Sequence, residues 1–424
     1  MPRLKGLTEK LGKYPCEVIP LVDKNLFLYD LAIVAIFKDE GRYLKEWLDY
    51  HLLAGVEHFY LYNNESSDDY KKILVPYVEE NLVTLIDFPG KAMQMSAYND
   101  AIKKFRFECR YMAFIDLDEF IYPKSNRSIV EVVDEILSKV HGAVGLVVHW
   151  QCFGTNGHDK ADYSRGVLER FTRRAEKNFS HVTKDEEKRL LYCIGNVFLK
   201  IILNPRYTKI VYVHDASHFE GRFHVNESGI KLLRNPASLN IDAEKIVVNH
   251  YFTKSREEFI FKHSRGRADS GTKWSSSLFD AYNRNDVFDD GILKYRAARA
   301  ENFSFESDDA RINRVISCLF RTLTQNSPYA MPKEFFAGKL EMLLTCWALA
   351  EKFQIKIDNS LAEEVSLGWV HRTLTTNPIE IAEVQMLLKA LPEILSRPFP
   401  ICKEINQLVQ NSNLTDLIEP DELS

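Results

Sequence analysis

Apolar residues in the first 125 positions fall into short unbroken runs separated by stretches of helical spacing. LAIVAIF (31–37), VEHFYLY (56–62), LVTLIDF (82–88) and YMAFIDL (111–117) have strand length. Their unbroken apolar character predicts strands buried on both faces. In KDEGRYLKEWLDYHLLAG (38–55), Leu44, Trp47, Leu48, His51 and Leu52 sit at i, i+3, i+4, i+7 and i+8, and Gly55 reads as a helix C-cap. DYKKILVPYVEEN (69–81) predicts a helix that Pro76 bends or breaks, and MQMSAYNDAIKKFRFEC (93–109) predicts another. Strand and helix in strict alternation predict an α/β fold with an open, mostly parallel sheet.

Later, SIVEVVDEILSKV (128–140) and KSREEFIFKHSRGRAD (254–269) read as helices. AVGLVVHWQCF (143–153), NVFLKIIL (196–203), KIVYVHDASHF (209–219) and EKIVVNHYF (244–252) read as strands. From Trp274 the pattern turns helical, as in EFFAGKLEMLLTCWALAEKF (334–353). The expected organisation is an irregular lead-in over 1–30, an α/β domain over 31–272 and a mainly α-helical region over 273–424. Phe335, Leu340, Leu343, Leu344 and Trp347 read as core of that last region, with peripheral docking to a membrane or a partner as the alternative.

Composition narrows the function. With 55 basic against 60 acidic residues, the chain lacks the basic field that nucleic-acid binding needs. Seven scattered cysteines, none in a C-x-x-C pair, fit a reduced compartment. No apolar run reaches the roughly 18–20 residues of a membrane helix, and the N-terminus is polar and basic. The expected location is therefore cytoplasmic, at the inner face of the membrane.

The chemistry gathers at FIDLDEF (114–120), where an apolar run ends in Asp116, Asp118 and Glu119. Read as a strand, it turns Asp116 and Asp118 to one face as a repelling pair. Such a pair suits Mg²⁺ or Mn²⁺, which take carboxylate and phosphate oxygens together. The alternative is a solvated acidic turn. In open α/β sheets ligands bind beyond the carboxyl ends of the strands. KDE after the first strand, YNNESSDD after the second and FIDLDEF should converge there.

FYLYNNESSDD and AYNDAI followed by YMAFIDLDEF resemble the donor-site segments of nucleotide-sugar glycosyltransferases of the GT-A fold. In order along residues 31–270, KDEGRYLKEWLDYHLLAGVEHFYLYNN, FIDLDEFIYP, WQCFGTNGH, VLERF and NHYFTKSREEFIFKHSRGRAD resemble glycosyltransferase family 92. Two departures stand out: a membrane anchor typical of eukaryotic members is not seen, and Asn63 and Asn64 stand where many GT-A enzymes have acids.

The resemblance implies an inverting, Mn²⁺- or Mg²⁺-dependent transferase acting on a nucleotide-sugar donor and a glycan or glycolipid acceptor. UDP-galactose is the leading donor, and surface polysaccharide or lipopolysaccharide synthesis the expected setting. The implied metal ligands are Asp116, Asp118 and His250, with a core or surface histidine as the other reading of His250. Donor contacts fall to Asp39, Glu40, Asn63, Asp68, Asn99, Lys254 and Arg265, acceptor contacts to Trp150, Phe153, Gly154, Gly157 and His158. Glu169 or Asp159 is the base that takes the acceptor proton. A nucleotidyltransferase would favour a glycine- and lysine-rich loop after the first strand, where only Gly41 occurs. A catalytically silent nucleotide-sugar binder or scaffold would have little reason to keep the metal site.

Overall fold

The computed structural model describes residues 27–106, 108–184, 190–219, 221–233, 235–264, 277–297, 306–315 and 354. The apolar runs form the expected sheet. Its nine strands are β1 (Tyr29–Phe37), β2 (His58–Asn63), β3 (Val83–Asp87), β4 (Cys109–Phe114), β5 (Glu119–Pro123), β6 (Ala143–Cys152), β7 (Leu199–Leu203), β8 (Phe223–Val225) and β9 (Ile246–His250). The order is β3-β2-β1-β4-β7-β6-β9-β5, with β8 also paired to β6. β3, β2, β1 and β4 are mutually parallel, β8 and β9 run parallel to β6, and β7 lies antiparallel between β4 and β6. This is a mixed, mostly parallel α/β sheet. β2, β4 and β6 are buried at every position, as strands covered on both faces must be.

Helices α1 (Gly41–Leu53), α2 (Tyr70–Glu79), α3 (Gln94–Phe105) and α4 (Ile129–Leu137) connect the early strands. Leu44, Trp47, Leu48, His51 and Leu52 are the buried stripe of α1. Gly55, at φ +97°, follows its end and carries the chain into β2. α2 runs through Pro76 without breaking. Ser128 and Glu131 close a reciprocal cap at the start of α4.

Two expectations change. KIVYVHDASHF does not join the main sheet. Thr208–Val211 and Ala216–His218 fold back on each other as a separate antiparallel hairpin, closed by Tyr212 N–H to Asp215 O at 2.8 Å. FIDLDEF is not one strand either: β4 ends at Phe114, and Asp116 and Asp118 lie in the turn before β5.

The chain divides into two compact units, Tyr29–Phe305 and a second made of Met1–Leu28 with Glu306–Ser424. Most of the expected helical region, including 334–353, lies outside the described residues. Among the described residues no helix is long and apolar enough to cross a membrane.

Candidate active site

The turn after β4 places its two aspartates against different cations. Asp116 is pinned by three donors: Gln94 Nε2 at 2.6 Å and Tyr98 OH at 3.3 Å on Oδ1, both from α3, and Lys200 Nζ at 2.9 Å on Oδ2, from β7. Its side chain keeps 31% exposure, so one side of the carboxylate remains open. Asp118 is buried. Its Oδ2 accepts from the Lys262 ammonium and lies 3.5 Å from His250 Nε2. The expected pair of repelling acids sharing a strand face is therefore replaced by two acids, each neutralised by its own lysine.

Strand pairing brings His250 to this point. β9 runs antiparallel to β5 with His250 opposite Glu119, and the next residue, Tyr251, donates its N–H to Asp118 O at 2.8 Å. The His250 ring packs 4.1 Å from Trp150, and its buried Nδ1 has no hydrogen-bond partner. Burial lowers its pKa against the pull of Asp118, which favours the neutral imidazole that can ligate a metal. Although burial disfavours its charge, Lys262, His250 and Lys254 hold Asp118 well below the usual carboxylate range.

Glu119 is fully buried. Its Oε2 accepts the Asp116 N–H at 2.9 Å and lies 3.3 Å from Lys200 Nζ. Burial, with the Asp116 and Asp118 charges, pushes its pKa up to about 8 against the pull of Lys200. Lys200 itself is held well above the usual lysine value by the same acids, despite burial. The ammonium sits nearer Asp116, at 2.9 Å, than Glu119, at 3.3 Å.

α6 (Arg256–Ser264) brings in the other cations. Lys254 precedes it at φ +45°, with its ammonium 4.5 Å over the Tyr43 ring. The start of α6 is fixed by Glu258, buried in a forked ion pair with Arg170 of α5 (Val167–Arg170) at 2.8 and 2.9 Å. Glu258 also accepts from Tyr43 OH at 2.9 Å and Ser255 Oγ at 2.6 Å. Segment 154–161 is sewn to the same helix start: Arg256 N–H reaches His158 O, and Glu257 N–H reaches Asp159 O.

The remaining expected residues divide. Asp39, at φ +49°, accepts from Ser67 N–H and Oγ. Asp68 Oδ2 accepts the Gly41 N–H at 2.7 Å, at the start of α1, and its buried Oδ1 lacks a partner. Asn63 bridges Tyr70 and Asp87. Asn99 ties α3 to the 208–218 hairpin through the backbone of Val211, which uses both ends of its amide. The charge of Glu40, beside Asp39, acts on Lys254 and Lys262. Asp159 is exposed, and half-buried Glu169 accepts from Gly166 N–H at 3.4 Å. Arg265 lies outside the described residues.

The expected acceptor surface needs correction. Phe153 is 1% exposed and stacked on Tyr251, and Trp150 is enclosed by Phe198, His214 and His250. Neither ring offers a face to a sugar. At Gly154 the close approach is by Arg284 O, 2.4 Å from where a Cβ would stand, so that glycine serves internal packing. Gly157, at φ +82°, faces open space, and His158 packs edge-on to Phe171. The exposed rings in this neighbourhood are Tyr163, with Arg42 4.3 Å over it, and Phe261.

Sequence reasoning missed Lys200, Gln94 and Tyr98. Lys200 had a signal: a charge inside the apolar run LKIIL of a core strand needs a buried partner. Gln94 and Tyr98 had none beyond their i, i+4 spacing on one face of α3.

The model of glycosyltransferase family 92 matches residues 34–278. The chain belongs to glycosyltransferase family 92. Relatives include a family 92 protein of Ricinus communis, 23% identical over 249 residues, which are 58% of this chain and 40% of that one. Another, of Oryza sativa subsp. japonica, is 25% identical over 241 residues, 56% of this chain and 35% of that one. The chain thus spans well under half the length of these family 92 relatives. Galactan beta-1,4-galactosyltransferase GALS2 of Arabidopsis thaliana is 30% identical over 100 residues, 21% of this chain and 19% of that one. Among solved structures, S. aureus TarS 1-349 in complex with UDP aligns over 80% of this chain and 92% of that one. Its identity is 13% and its TM-score 0.29, so no residue correspondence is drawn from it.

Among the described residues no group of three or more His, Cys, Asp or Glu side chains is gathered at metal-binding spacing. Asp118 Oδ2 and His250 Nε2 are nonetheless side by side, 3.5 Å apart. That donor set fits a divalent cation that keeps further positions for phosphate and water.

Proposed function

We propose that this chain transfers a sugar, galactose first among the candidates, from a UDP-linked donor to a glycan or glycolipid acceptor with inversion, in surface polysaccharide or lipopolysaccharide synthesis at the inner face of the membrane. The observation that carries the reading is the meeting of Asp118, His250 and Lys262 at the ends of β4 and β9, with the pinned Asp116 two positions before Asp118 in the same turn. Family membership supports the class of reaction, and the galactosyltransferase relative supports the sugar.

Mn²⁺ or Mg²⁺ bound by Asp118 and His250, and by the open side of Asp116, would supply positive charge to the leaving diphosphate. Lys262 and Lys254 are the cations of the chain placed to bind phosphate oxygens as the sugar–phosphate bond breaks. Asp68, with its unpartnered oxygen, and Glu40 are placed to accept from ribose or base. Tyr163, backed by Arg42, offers the acceptor ring a stacking face. A carboxylate of the acceptor segment, Asp159 or Glu169, takes the acceptor proton from the face opposite the diphosphate.

Incubating the protein and Mn²⁺ with a panel of nucleotide sugars should release UDP, with UDP-galactose cleaved fastest, even without acceptor. Failure to cleave any donor, with UDP still bound, would favour a catalytically silent binder.

A further inference from the structure

Lys200 stands in the middle of β7, 1% exposed, in a run that is otherwise apolar. A lysine is almost never fully buried without a partner that requires it. This one has two. Its ammonium donates to Asp116 Oδ2 at 2.9 Å and lies 3.3 Å from Glu119 Oε2, and that same Oε2 accepts the Asp116 N–H at 2.9 Å. The three contacts close a ring around Asp116. Gln94 and Tyr98 hold the other carboxylate oxygen from α3. Asp116 is thereby fixed on the inside by strand, turn and helix, while 31% of its side chain stays open on the outside.

We infer that Lys200 is a positioning residue: it aims the carboxylate of Asp116 into the donor site before the nucleotide arrives. The inference rests on the donor reading above. An ammonium carried on a core strand of the sheet keeps the carboxylate from rotating away, whereas a surface lysine would not. Residues that orient a ligating or substrate-binding group in this way typically cost about 10–100-fold in affinity or activity when removed.

An alternative explains the same contacts: Lys200 only balances the charge of Asp116 and Glu119, so any change that relieves the imbalance restores everything. Two variants separate the roles. Lys200→Met removes the ammonium at similar volume and leaves Asp116 beside Glu119, so stability should fall. Lys200→Met combined with Glu119→Gln leaves Asp116, which solvent reaches, as the one acid of this ring, so the melting temperature should return most of the way to wild type. Positioning requires that the double variant still bind UDP in the presence of Mn²⁺ about 10-fold or more weakly, as read by calorimetry on folded protein. A double variant that regains both stability and wild-type UDP affinity overturns the role and leaves only charge balance. A wild type that binds no UDP with Mn²⁺ overturns the donor reading, and the role of Lys200 with it.

Discussion

Asp118→Asn is expected to lower turnover per folded molecule by about 10²–10³-fold, the effect of losing one preorganised electrostatic contact worth roughly 3–4 kcal/mol. The substitution keeps the shape and removes one charge. In wild type that charge is buried, takes the Lys262 ammonium and lies 3.5 Å from His250 Nε2. Without it Lys262 loses its carboxylate, and the proposed divalent cation would lose a charged ligand. The sequence alone suggests that relieving repulsion between Asp116 and Asp118 would leave the protein as stable or more so. The structure reverses the sign. Asp118 is held ionised by its cations, so it contributes stability above the ordinary carboxylate pKa, lost as pH falls below it. The asparagine variant should therefore melt lower than wild type at neutral pH, with the two curves converging in acid. Kinetics normalised to the folded fraction keeps the two effects apart. Unchanged turnover per folded molecule would leave Asp118 a purely structural acid.

The second large effect is on folding. Glu258→Gln is expected to cost about 3–5 kcal/mol, because it strands the Arg170 guanidinium in a buried site. For a unit of this size that is a fall of roughly 10 °C in Tm. The sign with pH is fixed by Glu258, whose pKa Arg170 and Ser255 hold at about 2 against burial. Its contribution is complete above the unfolded value of 4.5 and disappears as pH falls towards 2. Wild type and variant should differ most near neutrality. Replacing both partners by apolar residues, Arg170→Met with Glu258→Leu, should recover most of the loss, since no charge is then left unpaired. A single variant that melts like wild type would show that the fork does not hold α5 to α6. Thermal melts between pH 7 and pH 3 read all three outcomes.

Much of the fold was legible because burial on both faces forces unbroken apolar runs. β1, β2, β3 and β4 and the helices between them stand where the pattern puts them. The misses have particular causes. KIVYVHDASHF has strand composition, yet its Tyr212–Asp215 turn closes a local hairpin that competes with the sheet. In FIDLDEF the apolar residues continue past Phe114 only because Ile115 and Leu117 are buried in a turn, which composition cannot distinguish from a strand. The site was legible as a set of acids and a histidine, since strand ends and motif order mark them. Their partners were not: Lys200 reaches Asp116 across 84 positions of chain and Lys262 reaches Asp118 across 144, distances over which local periodicity says nothing. Aromatic residues misled for the opposite reason. Trp150 and Phe153 look suited to a sugar, but they belong to β6 and its exit, where both faces are core.

The central claim is that Asp118 and His250, with Asp116, form a divalent-cation site at which a nucleotide diphosphate binds. Calorimetric titration of UDP into the wild-type protein, once with Mn²⁺ and once after chelation with EDTA, tests it most directly. The expected result is binding with Mn²⁺ that weakens at least 10-fold after chelation and returns when Mn²⁺ is restored. Equal UDP affinity with and without the metal would contradict the claim, and would leave Lys262 and Lys254 as the cations that hold the diphosphate.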